Sequence, residues 1–386
     1  MDFSITDEQR QLHDMARDFG AREVQPSVLE RDAAGSWNPD LWQKMAEAGL
    51  LGAPIPTEYG GTGLSCVDTC LVKEGFGLGS EDGGLALAWG AHTILCAVPI
   101  WKLGTESQKQ RYLPGLCDGS LVGGFCLSEP DSGSDAASMR TRAERRGDRW
   151  VLNGTKMWIT NGPIGDVFVV TAVTTPGAKA MGISTFLVPS DAPGFRVGQH
   201  IDKMGMRTSQ TSELIFEDCE IPADALLGEE NYGFLITAKL ILGWERSCLL
   251  APGLGAMQGV MNRCVRYAQE REQFGRPISA FQAIRAMLAN MRIDYEIARN
   301  LIYRVAWHLD QGDDPPLVDA AIGKVFIGEA SQRVMRDAIQ LHGGVGYTPE
   351  YHVERGLRDS MLSTIGAGTS EVQRSIIARA ILEIGF

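Results

Sequence analysis

The chain has 386 residues, 44% of them hydrophobic and 22% charged, which is room for roughly two or three domains with sizeable cores. Its formal charge of −12 argues against a nucleic-acid-binding surface, which needs clustered Lys and Arg, but is compatible with a local basic pocket around an anionic ligand. The cysteines at 66, 70, 96, 117, 126, 219, 248 and 264 form no C-x-x-C pair, so free thiols in a reducing cytoplasm are expected.

The opening MDFSITDEQR is charged and lacks the apolar core of a signal peptide. Thr6 with Gln9 reads as a capping box that opens a helix toward Phe19. Asn38-Pro39 starts another, closed by Gly49. The turn EYGGTGLS (Glu58–Ser65) follows, then helical stretches to about Leu116. Gly75, Gly77 and Gly79 follow no strand and lack dinucleotide-fingerprint spacing. They read as helix-packing glycines, and a nicotinamide cofactor is not expected. Gly83–Trp101 carries no Asp, Glu, Lys or Arg over nineteen residues, close to a membrane span. With His92, Pro99 and three glycines, it reads as a helix buried in a core, and no membrane span is expected.

The period then changes. A short strand, Leu121–Gly124, leads into FCLSEPDSGSD (Phe125–Asp135), a turn rich in hydroxyls, proline and glycine. Such a turn leaves backbone N–H groups and hydroxyls for an anionic ligand such as a pyrophosphate. The segment TKMWITNG (Thr155–Gly162) adds the flat face of Trp158 and the hydroxyl of Thr160. Short β-rich runs at Arg149–Leu152, Asp166–Thr174, Gly182–Val188, Phe195–Gln199 and Glu213–Phe216 predict a small β domain over Leu121–Leu227. Beyond it, a long helix is expected from near Asn231 through YAQEREQFG (Tyr267–Gly275), kinked at Pro252. Further helices are expected at Ala280–Leu309, before the turn Gly312–Pro316, at Leu317–Leu341 and at Ser370–Leu382. Four long helices joined by short turns imply a bundle. The fold class is therefore α+β multidomain: an N-terminal α-helical domain (1–120), a central small β domain (121–230) and a C-terminal four-helix bundle (231–386).

These segments, in this order, resemble the acyl-CoA dehydrogenase family, and the likeness covers nearly the whole chain. It implies FAD as cofactor. Phe125, Leu127, Ser128, Gly133 and Ser134 match the family's first flavin segment, and Trp158, Ile159 and Thr160 the second. Arg271, Phe274, Phe281 and Gln282 match positions that reach the FAD of a neighbouring subunit. Gln340, Leu341, Gly343 and Gly344 match the segment over the adenosine pyrophosphate, and Thr369 and Glu371 follow the base loop. His342, inside that glycine motif, is read as a packing residue, and Met204 and Met206 as substrate-pocket lining.

The chemistry implied is removal of a proton α to a thioester carbonyl and of a β-hydride, taken by flavin N5. In many family members the base is a glutamate in a loop ending Glu-Gly-Thr-Ser. Here the loop is IGAGTSE (Ile365–Glu371), and Ala367 cannot abstract a proton. Glu245, in the apolar run LILGWERSCLL (Leu240–Leu250), matches the helix position used by isovaleryl-CoA dehydrogenases, whose loop likewise has alanine. The alternative is that Glu245 and Arg246 lie on an exposed helical stripe. The substrate residues implied are Ser134, Trp244, Arg246, Ala367 and Gly368, with the Ala367 N–H facing the thioester carbonyl. Trp244 and Gly90–Ile100 also resemble flavoenzymes that oxidise prolyl groups on a carrier protein, although Trp244 is equally readable as packing. The acyl thioester is then carried by CoA or by a carrier-protein phosphopantetheine. In the carrier case Arg336, Arg355 and Arg358 are the expected docking cations. The electron acceptor is electron-transfer flavoprotein or oxygen, and a flavin oxidase or monooxygenase and a non-catalytic scaffold are the competing readings. A homo-oligomer, tetramer or dimer, is expected. No His/Cys/Asp cluster at metal spacing is seen, and no metal is expected.

Overall fold

The computed structural model describes residues 4–236, 241–313 and 316–384. Leu240 of the apolar run, Asp314 and Pro315 of the Gly312–Pro316 turn, and residues 1–3 of the opening segment lie outside them.

Helix α1 (Asp7–Phe19) starts at the capping box, with the Gln9 N–H donating to Thr6 Oγ1 at 3.2 Å and the Thr6 N–H to Gln9 Oε1 at 3.2 Å. It runs on into a π-helical turn, Gly20–Val24, before α2 (Val28–Ala34). Asn38 accepts from the Asp40 and Leu41 N–H groups to cap α3 (Pro39–Glu47). Helix α4 (Cys66–Ser80) lies against both α1 and the C-terminal helices. A methyl group at Gly79 would strike the Arg17 carbonyl oxygen, and one at Gly77 the Pro252 carbonyl oxygen. The glycines therefore set how closely α4 packs, as their spacing predicted.

Helix α5 (Gly83–His92), a π-helical turn (Thr93–Ala97) and α6 (Val98–Leu103) form one apolar rod, followed by α7 (Glu106–Asp118). By length and composition the rod could cross a membrane, but 83% of its apolar window is buried inside the protein. It is a core helix.

The central sheet has seven strands: β1 (Gly123–Cys126), β2 (Arg142–Arg146), β3 (Arg149–Thr160), β4 (Val167–Val173), β5 (Ile183–Pro189), β6 (Phe195–His200) and β7 (Thr211–Pro222). The order is β1-β4-β2-β3-β7-β6, with β5 pairing β4. Strand β1 runs parallel to β4, Phe125 facing Val169, while β3 and β7 are antiparallel. Two features differ from expectation. Strand β2 is charged at four of its five positions, with Ala143 alone buried, so it shows no apolar alternation. Strand β3 absorbs most of the second motif instead of ending at Leu152.

After β7 come α8 (Gly233–Ile236), α9 (Leu242–Trp244), a π-helical turn (Glu245–Leu249) and α10 (Ala251–Glu270). Residues 237–240 of the expected long helix lie outside the described residues; beyond them the continuous, kinked helix is broken at Leu250. Pro252, which has no N–H to donate, sits in the first turn of a new helix. Nor does the helix continue through Gly275. Arg271 is extended, and a small hairpin follows, β8 (Glu272–Gln273) and β9 (Arg276–Pro277). Helices α11 (Gln282–Asp310), α12 (Leu317–His342) and α14 (Ser370–Ile384) join α10 in the expected bundle, with a short α13 (Val353–Ser360) between α12 and α14.

Candidate active site

The turn after β1 and the second half of β3 are bound side by side. The Met157 N–H donates to the Ser128 carbonyl at 2.9 Å. Beneath them, Lys156 Nζ donates to the Leu127 carbonyl at 3.0 Å and to Glu129 Oε1 at 2.9 Å. Glu129 also accepts from the Arg140 and Thr141 N–H groups at 2.6 and 2.9 Å. Both side chains of this ion pair are buried. The pair fixes the mutual position of Leu127, Ser128, Trp158 and Ile159.

Above it the surface is strained and open. A bulge between Lys156 and Ile159 puts Trp158 at φ +65° with 57% of its surface exposed. A large aromatic residue in that backbone region is uncommon and marks a site where the strain has a use. A Cβ at Gly133 would meet nothing within 4 Å, and Ser134 is exposed. Ile159 is buried as a packing anchor, and Phe125 is half-buried against the helical core. An exposed aromatic face thus stands beside a polar turn.

The Glu245 turn approaches the same core from the helical side. Trp244 packs edge-on to Trp101 of α6 at 6.3 Å, inside the apolar cluster that Phe125 borders. Trp244 therefore packs at least as much as it lines a site. Glu245 is 8% exposed and Arg246 2%, so they lie on no exposed stripe. Burial pushes the Glu245 carboxyl up to about 7, against the pull of Arg246 and Lys324. Arg246 Nε and Nη1 are buried without a hydrogen-bond partner. Buried donors left unpaired beside a carboxyl raised to about 7 mark this turn as a candidate site.

Lys324 of α12 went unnoticed in the sequence. It is 1% exposed, its Nζ has no hydrogen-bond partner, and its charge acts on Glu245 and on Glu371 in the first turn of α14. The signal was a lone Lys in the run AAIGKVFIG. In the loop, Ala367 has φ +58° and Gly368 φ +81°. Buried Gln373 clamps both by donating to their carbonyls at 3.2 and 3.3 Å. Thr369 Oγ1 accepts from the Val372 N–H at 3.3 Å and caps α14, with Glu371 in its first turn.

The remaining residues lie apart. Arg271, Phe274, Phe281 and Gln282 belong to the β8–β9 hairpin and the start of α11. Phe274 is 92% exposed at φ +53°, with Phe281 at 5.9 Å. Gln340, Gly343 and Gly344 are exposed at the end of α12, while Leu341 is buried. His342 is a packing residue: its Nδ1 meets the Ala338 carbonyl at 2.8 Å and its ring stacks on Tyr267.

The Met206 N–H donates to Asp359 and the Met204 carbonyl accepts from Arg358, so the backbone of this segment is tied to α13, with the Met204 side chain exposed. Two expectations need correcting. Arg355 is buried and donates to the Glu81 carbonyl, and Arg358 is paired with Asp32 and Glu354. Of the three proposed docking cations, Arg336 alone is exposed. Finally, Cys66, Cys70 and Cys248, distant in sequence, hold their sulfurs within 4.8 Å of one another.

Models of the acyl-CoA dehydrogenase N-terminal, middle and C-terminal domains match residues 6–120, 124–219 and 231–382. A probable acyl-CoA dehydrogenase, YngJ, of Bacillus subtilis (strain 168) is 41% identical over 99% of this chain and 100% of its own. The mitochondrial isovaleryl-CoA dehydrogenase of Pongo abelii is 39% identical over 97% of this chain and 89% of its own. Among solved structures, the prolyl acyl carrier protein oxidase AnaB superposes with a TM-score of 0.95 at 36% identity, covering 98% of this chain and 100% of that one.

Proposed function

The chain belongs to the acyl-CoA dehydrogenase family, and within it we propose that Glu245 is the base of an FAD-dependent α,β-dehydrogenation of an acyl thioester. The observation that carries this reading is Glu245 itself: a buried carboxyl brought up to about 7 by burial, in a chain whose loop has Ala367 where a base would otherwise stand. A base that titrates near the working pH combines availability with driving force.

The residues fit FAD. Exposed, strained Trp158 offers a stacking face, and the turn at Gly133 and Ser134 has room for phosphates. FAD, when bound, supplies the acceptor for the β-hydride. The Glu245 carboxylate takes the α-proton, and the electron pair left behind becomes the new C=C bond. The Ala367 N–H, in a loop clamped by Gln373, donates to the thioester carbonyl and stabilises its developing negative charge. Arg246 and Lys324 hold positive charge beside the base, so Glu245 is ionised often enough to act.

CoA thioesters are the primary substrates in this reading. The carrier-tethered alternative retains Trp244 beside the base, but two of its three expected docking cations, Arg355 and Arg358, are already engaged. Anaerobic bleaching of the bound flavin, screened across acyl-CoAs and acyl or prolyl carrier proteins, tests this. Bleaching by carrier-bound groups alone overturns the CoA assignment. Readmitting oxygen then separates a dehydrogenase, which recovers colour slowly, from an oxidase.

Because Glu245 must be ionised, kcat/KM should rise with pH through about 7 and level off above it. A profile flat from pH 6 to 8, where an ordinary carboxylate is fully ionised, would remove Glu245 from the role.

The exposed hairpin supports a homo-oligomer in which Phe274 and Arg271 reach the FAD of a second copy. Phe274→Ser should cost about 2 kcal/mol, the scale of an interface anchor. Flavin retention and sedimentation should weaken together. A variant that keeps both at wild-type levels would place the hairpin outside any interface.

A further inference from the structure

We propose that Cys66, Cys70 and Cys248 form a binding site for a soft monovalent cation of the Cu(I) class, held by three sulfur ligands where α4 meets the turn that carries Glu245. Cys66 is the first residue of α4, and Cys70, four positions on, shares its face. Cys248 comes in from the π-helical turn. Its Sγ lies 3.4 Å from that of Cys66 and 3.5 Å from that of Cys70, and all three sulfurs fall within 4.8 Å. Thiolates sharing one ion at metal–sulfur distances of about 2.3 Å are roughly 4 Å apart, so side-chain adjustments suffice.

The donor set selects the ion. Sulfur ligands favour Cu(I), zinc and iron–sulfur centres. Zinc needs a fourth ligand, and among the described residues no His or carboxylate joins the group. The neighbouring Ser247 Oγ, 3.6 Å from Cys66 Sγ, donates to the Gly243 carbonyl at 2.9 Å. All three cysteines are fully buried, which provides no open coordination position for water.

Charge balance is the second observation. Lys73, one turn beyond Cys70 on α4, is fully buried. Its Nζ has no hydrogen-bond partner and sits 3.5 Å above the Trp89 ring. A buried ammonium without a counter-charge is costly. Thiolates around a bound ion would give it negative charge to face. Binding as three thiolates releases the thiol protons to solvent; the ion with its three thiolates then carries −2, which a charged Lys73 reduces to −1. Cys248 lies three residues after Glu245 in the same turn, so loading should also depress turnover.

The test is an anaerobic titration of the holoenzyme with Cu(I) against a chromophoric Cu(I) chelator, with X-ray absorption on the loaded protein. The expected result is one ion per chain with three sulfur neighbours at about 2.3 Å. Cys70→Ala and Cys248→Ala should each weaken binding roughly a hundredfold, while Cys264→Ala, buried elsewhere in α10, should leave it unchanged. Failure of the wild-type protein to retain Cu(I) overturns the proposal whether or not the variants fold. So does retention that survives both substitutions, or a preference for Zn(II) over Cu(I).

Discussion

Glu245→Gln is expected to keep FAD and the fold and to slow reduction of the flavin by roughly 10²–10⁴-fold, the usual worth of a positioned general base. Glutamine has nearly the same volume, so Trp244 and the apolar surroundings of the turn should stay packed. The substitution also removes a buried acid whose ionisation burial opposes. It also leaves buried Arg246 and Lys324 without the carboxylate they face, so the thermal midpoint and flavin content are read beside the rate to separate lost chemistry from unfolding. A second variant sharpens the result. Ala367→Glu in the Glu245→Gln background places a carboxylate on the loop just before α14, the helix whose Glu371 is within electrostatic reach of Lys324. Partial recovery toward slim, unbranched acyl groups is expected, with less for bulky ones. A carboxylate misplaced by about an ångström can cost a hundredfold by itself. Near-normal flavin reduction by Glu245→Gln alone would show that another group takes the proton.

What the sequence made legible follows from how each feature is encoded. The capping box at Thr6 and the cap at Asn38 are local, and both are present as read. The glycines of α4 were legible because no other role suited their spacing. Strands β4 and β5 were visible as buried apolar runs. Strand β2 was not, because RAERR buries a single alanine and is held by its register with β3. The β8–β9 hairpin was hidden because YAQEREQFG has good helix formers up to its glycine, and its break at Arg271 is a tertiary effect. Glu245 was legible as a charge in an apolar run. Lys324 carried the same signal without an accompanying motif. The thiol trio depends on the approach of α4 to the Glu245 turn, 178 residues apart between Cys70 and Cys248, and no local pattern encodes that. The docking arginines failed for a related reason: exposure cannot be read from charge when Asp32, Glu354 and the Glu81 carbonyl lie in wait.

Breaking the ion pair under the flavin platform should have the other large effect. Lys156 and Glu129 are buried together, and the lysine also holds the Leu127 carbonyl. Lys156→Met keeps much of the side-chain volume but strands the Glu129 carboxylate, whose charge is then balanced by two backbone N–H groups alone. Removing one partner of a buried pair typically costs about 3–5 kcal/mol. The loss should appear as a lower denaturation midpoint and as a chain purified with little FAD, because the turn at Leu127–Ser128 and the bulge at Trp158 lose their shared anchor. Lys156→Met with Glu129→Gln removes both charges and keeps an amide oxygen for one of the Arg140 and Thr141 N–H groups, which the carboxylate takes on separate oxygens. It should regain much of the stability, since a buried pair contributes less by its presence than its disruption costs. Flavin affinity should recover less, because the Leu127 carbonyl remains unheld. A single variant within about 1 kcal/mol of wild type, the scale of a surface pair, would mean that water reaches Glu129 and that the platform is positioned by the strand pairing of β3 with β7 alone.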